Sequence, residues 1–321
     1  KLTSTQVQAL NSAQIVALET GDLAQMTTGQ IAALTTAQVT NLTTDQVVAL
    51  TTDQVPAMTT AQVSKLGVDQ IAAIETADLV KMTTAQIAAL TTTQIQALTT
   101  NQVTNLTTNQ AVALTAAQVG KLTTDQVVAL TSAQVSTLTS VQVRALTGGQ
   151  IVALETGDLA QMTTAQIAAF TTAQVTNLTT DQMVALNTVQ VPAMTTAQIA
   201  NLGTDQIAAI ETRDLVALKT QQLGAWTGDQ IAVLTTGQIA AMTFGQVASL
   251  SATQINGLTT DQVQAMNSGQ LASLTSTQVQ ALSANQIIAI ETADFAALRA
   301  TQISAFTGDQ IQNLTTDQVV A

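Results

Sequence analysis

The chain has 321 residues and a net charge of −12, with 46% hydrophobic, 9% charged and 2% aromatic residues. So high a hydrophobic content excludes a disordered polyelectrolyte. Eight scattered Lys and Arg residues argue against a grip on nucleic acid or on an anionic lipid surface, and no apolar run approaches the roughly 18 residues of a membrane span.

Cys and His are absent. That removes disulfide scaffolds, Cys/His zinc sites and base-activated nucleophiles. Neither an enzyme nor a cofactor is expected.

From Leu2 onward an apolar residue returns at every eighth place: Leu10, Leu18, Met26, Leu34, and so on without a slip through Phe170, Trp226 and Phe306 to Leu314. Residues 2–321 therefore form forty octads. With this residue as position one, the consensus is Leu-Thr-Thr-x-Gln-(Ile/Val)-x-Ala. A continuous helix would rotate position one by about 80° per octad, and strand alternation would put positions one and six on opposite faces. Thr at position two and Gln at position five instead have the spacing of a capping box. Positions one and six have that of a hydrophobic staple. Each octad is predicted to restart a helix about one and a half turns long.

The first two octads, 2–9 and 10–17, follow this pattern. The third carries Glu19 and Asp22 in place of Thr and Gln. From the sixth octad Asp recurs at position four, as Asp45, Asp53 and Asp69, where the first helical turn favours negative charge. Pro56, at position seven, points to a helix already ending there. Residues 19–74 recur almost unchanged at 155–210, which carries Pro56 onto Pro192 and Gly67 onto Gly203. The offset is 136 residues, so the long repeats are 1–136, 137–272 and a partial 273–321, all in one continuous array. The missing end caps suggest a segment of something longer.

Helices this short are not stable alone. The expected fold is an all-α solenoid, one very short helix per octad, with positions one and six stacked into an internal apolar ladder. A β-solenoid is the alternative, because Thr, Val and Ile also favour strands. The Gln column either closes the capping boxes or stacks as an amide ladder between rungs. Trp226, Phe170, Phe306 and Phe295 are assigned to the core, and Phe244 to the surface.

The acidic octads bring paired carboxylates at Glu19/Asp22, Glu75/Asp78, Glu155/Asp158, Glu211/Asp214 and Glu291/Asp294. Two carboxylates are few for a hard cation, so these ten residues are weak metal candidates. The plainer reading is a charged version of the capping box. Thr-Thr steps could form a hydroxyl array for ice or glycan, but Ser12, Ala252 and Phe244 interrupt position three.

Leu-Thr-Thr-Ala-Gln-Val, as at 34–39, resembles the Thr/Gln/Ala-rich repeat regions of very large bacterial surface or secreted adhesin-like proteins. The resemblance implies an extracellular or cell-surface location. It also implies a rod, stalk or self-associating filament, or alternatively an adhesive array binding glycan, ice or calcium. The haem-related labels given to some such proteins find no support in a chain without His, Cys or Tyr.

Overall fold

A computed structural model describes residues 2–321. Among them are thirty-nine α-helices, one 3-10 helix and no strand, which makes one helical element per octad. The octad at 98–105 illustrates the local logic. Thr99 sits in an extended N-cap conformation, and its Oγ1 accepts from the Gln102 backbone N–H at 3.1 Å. The Gln102 side chain reaches back, Oε1 accepting from the Thr99 N–H at 2.8 Å. Helix Thr100–Asn105 then runs six residues and stops at Leu106, whose backbone turns extended to enter the next cap. The capping box predicted from Thr-x-x-Gln is thus formed, and it restarts the helix at most octads.

Burial follows octad position. Position six is sealed, as in Ile87, Ile95 and Val103, and position one nearly so, as in Leu90, Leu98 and Leu106. Position five is buried as well, while positions two, three, four and seven face outward. This is the expected apolar ladder, with an amide column running beside it.

By contacts the chain divides into two compact units, Lys1–Met162 and Thr163–Ala321. Each is a solenoid in which a helix packs on the helix three octads away. Examples are Ser132–Thr137 on Thr156–Gln161 in the first unit, and Gly228–Ala232 on Ala252–Gly257 in the second.

Helix Gly228–Ala232 approaches its neighbour closely enough to touch backbone. A Cβ on Gly257 would lie 2.7 Å from Gly228 Cα and 2.9 Å from its carbonyl oxygen. Backbone cannot swing aside as a flexible side chain can. Gly257→Ala is therefore expected to cost about 1–3 kcal/mol by overpacking, read as a lower urea midpoint. An unchanged midpoint would show that these two turns can separate freely.

The proline octads fit the expectation. Helices end at positions six to eight, as Thr60–Val63, Ser4–Gln8 and Thr28–Ala33 do, so proline at position seven falls where the helix is ending. It deletes the N–H that in other octads bonds the position-three carbonyl, as Ser64 bonds Thr60 at 3.0 Å, while the first turn keeps its closing bond, Val55 N–H to the Thr51 carbonyl at 3.1 Å. The helical stretch is short there, Gln54–Ala57, and around Pro192 it shrinks to the 3-10 turn Val191–Ala193.

Candidate functional site

The distinctive chemistry lies between turns. Gln102 uses its Oε1 for the local cap, which leaves Nε2 free to donate to the carbonyls of Ile71 at 2.9 Å, Ala72 at 3.3 Å and Ile74 at 2.7 Å. These acceptors lie 31, 30 and 28 residues upstream, on the preceding turn. The bond to the residue 28 places back recurs at 2.6–3.0 Å for every position-five Gln from Gln30 to Gln150 in the first unit. It recurs likewise from Gln198 to Gln318 in the second. One turn thus spans between three and four octads.

The Gln column does not form an amide-to-amide ladder. Each amide spans two jobs, receiving a bond from its own N-cap and giving bonds to the backbone of the turn before. Because it is buried, losing either set would leave polar groups unpaired at about 1–3 kcal/mol each. One signal of the second job was visible in the sequence. Gln70, Gln206, Gln222 and Gln302 persist although Gly67, Gly203, Lys219 and Arg299 replace the capping Thr. In those octads the backbone N–H still bonds Oε1, at 2.6–2.8 Å.

The short motif at the heart of this geometry, from the last Ala of one octad to the Gln of the next, reads Ala-Leu-Thr-Thr-Ala-Gln at 33–38. The pattern described as the ALTTAQ repeat matches residues 15–52, then abutting or overlapping stretches from 71 to 244, then 287–321. The chain belongs to the ALTTAQ-repeat family. No curated protein matches it.

Trp226 shows how an ALTTAQ octad accommodates a larger residue at position one. Its indole N–H donates to the Ile199 carbonyl at 3.0 Å. Gln230, in the same octad, keeps its cap bond from the Thr227 N–H, and its Nε2 donates to Ala200 and Leu202 but not to Ile199. Phe170 and Phe295 are buried as expected. Phe306 is half-buried and stacks on Phe295 with centroids 5.8 Å apart. Phe244 is exposed, with its ring lying over Gly269.

In the acidic ALTTAQ octads the charged-cap reading fails. None of Glu19, Glu75, Glu155, Glu211 and Glu291 makes a side-chain cap bond, and no capping box forms there. Glu carries its carboxylate too far out for the cap geometry that favours Asp, Asn, Ser and Thr, and Asp is too short to reach back as Gln does.

The two carboxylates also part company. Glu75, Glu155 and Glu291 face outward, while Asp78, Asp158 and Asp214 are buried in the seam; Asp22, on the first turn, is exposed. Among the described residues no three acidic, His or Cys side chains gather as a metal site would need.

An open cleft lies beside Glu75, walled by Ile74, Thr76, Thr99, Asn101 and Gln102. It recurs 136 residues later beside Glu211, where Arg213 joins the wall. Burial pushes the Asp78 carboxyl up from 3.8 to about 6, with Glu75 adding to the shift. Burial also raises Asp214, opposed by Arg213 and reinforced by Glu211.

Proposed function

We propose that this ALTTAQ array is a structural element, a rod or stalk that self-associates into filaments outside a bacterial cell. The observation that carries the reading is the seam. Within each unit, turn after turn is held to the one before by the same amide–carbonyl bonds wherever position five is Gln, a construction suited to length and lateral rigidity and one that leaves the outward positions free to vary. Low charge agrees with a scaffold role.

End-on association is part of the proposal, because the donors and acceptors of the seam are the same at every turn.

Electron microscopy across a concentration series is the test. Rods that lengthen with concentration are the expected result, and isolated globular particles at every concentration would overturn the proposal.

A further inference from the structure

The seam has four interior gaps, at Asp78, Asp158, Asp214 and Asp294. A carboxylate carries no N–H to donate. The carbonyls in register therefore receive no side-chain amide: Val47, Val48 and Leu50 for Asp78, and Met183, Val184 and Leu186 for Asp214. At two gaps the aspartate itself receives a donor from within the chain. The Ser132 hydroxyl donates to Asp158 Oδ1 at 2.5 Å, leaving Oδ2 buried without a partner, and the Ser268 hydroxyl donates to Asp294 Oδ1. Each Ser stands at position three, 26 residues upstream.

At that register Asp78 and Asp214 have Thr52 and Thr188, which belong to the two proline octads with late-starting helices. Neither threonine bonds its aspartate. Asp214 has a partial substitute in Arg213, which pairs with Glu211 and stands 3.8 Å from Asp214. That is too long for a hydrogen bond, and both Asp214 oxygens are buried without one. Where Asp214 has Arg213, Asp78 has Ala77.

The charged surroundings are sparse. Two helices pack on Thr76–Leu79: Gln54–Ala57, with Asp53 at its start, and Thr100–Asn105, which has no titratable residue. Glu75 is the charged neighbour in the same octad, and Lys81 follows at its end. Around Asp214, the packed elements Val191–Ala193 and Thr236–Ala241 carry no charge, which leaves Glu211 and Arg213.

We propose that Asp78 is an acid-closed joint in the seam. Ionised, it places a buried negative charge in a position where every neighbouring octad supplies a donor. Protonated, it sheds that charge and offers an O–H toward the carbonyls of the turn before, so the array tightens on acidification. Asp214 is the same joint with an arginine built in beside it.

The raised Asp78 carboxyl fixes the sign. Protonation is preferred by the folded chain, so this stabilisation is complete below about 4 and is lost as the pH rises through about 6.

The test compares the full chain with Asp78→Gln, which installs the residue found at this place in every octad outside the acidic five and is expected to fold. The first readout is the carboxyl carbon resonance of aspartate-labelled protein, with the Asp78 signal identified by its absence in D78Q. A titration midpoint near 6 is expected, and a midpoint near 4 overturns the proposal. The second is thermal melting. D78Q should melt several degrees above wild type at pH 7.5 and level with it at pH 4.5. A gap that does not depend on pH, or a D78Q that melts lower at pH 7.5, overturns it. So does millimolar calcium raising the melting point of wild type but not of D78Q at pH 7.5, because the gap would then be a cation site.

Discussion

Gln102→Glu should break the array locally at neutral pH, at a cost of about 3–5 kcal/mol, the range for an uncompensated buried charge. The substitution alters almost nothing in shape. The remaining oxygen can still accept from the Thr99 N–H, so the cap survives, and the loss falls on the bonds to Ile71, Ala72 and Ile74. A donor becomes an anion facing three carbonyl oxygens in a site only 2% exposed.

Burial raises the pKa of such a carboxyl. Stability should therefore return as the pH falls toward 4, where the acid carries a proton it can donate. Thr99→Ala is the control. It removes the cap alone and should cost about 1 kcal/mol with no such acid rescue. Amide hydrogen exchange around 71–74 and 99–106, at pH 7.5 and corrected for intrinsic rate at pH 5, would report both. Wild-type protection in Gln102→Glu at pH 7.5 would mean that the seam is ornamental.

The second large effect concerns the apolar ladder. Ile87 is completely enclosed, so Ile87→Ala removes buried methyl groups and leaves a cavity, for about 2–5 kcal/mol. Val112 stands at position seven and is 41% exposed, so Val112→Ala should fall within about 0.5 kcal/mol of wild type. In a quasi-one-dimensional array the Ile87 lesion weakens contacts with neighbouring turns while distant octads keep theirs. Urea unfolding is expected to split into more than one transition for Ile87→Ala alone. Equal losses for the two variants would mean that octad position does not decide which side chains hold the fold.

Local structure was readable from the octad, and what joins one turn to the next was not. Thr99 and Gln102 announce a helix start by spacing alone, because a capping box closes within four residues. The apolar ladder followed from the same reasoning, since Leu98 and Val103 are the residues a short helix has to hide. The partner of Gln102 could not be found this way. An eight-residue period is the same whichever octad lies alongside, and the 28-residue return depends on how each extended cap turns the chain between helices.

The acidic octads misled for a related reason. Glu75 and Asp78 look like a matched pair in sequence. In the fold one faces water and the other faces the preceding turn, so their chemistry is set by different surroundings.

One consequence of the seam concerns inheritance. Its acceptors are peptide carbonyls, which every residue possesses, so a turn recognises its predecessor without regard to what side chains stand there. Adding or deleting an octad hands each glutamine a different neighbour, yet one bearing the same oxygen atoms at the same spacing. Unequal recombination can therefore change copy number without a compensating substitution. The near-identity of 19–74 and 155–210 is the kind of trace that such duplication leaves. Length becomes a trait that can drift or be selected almost independently of sequence.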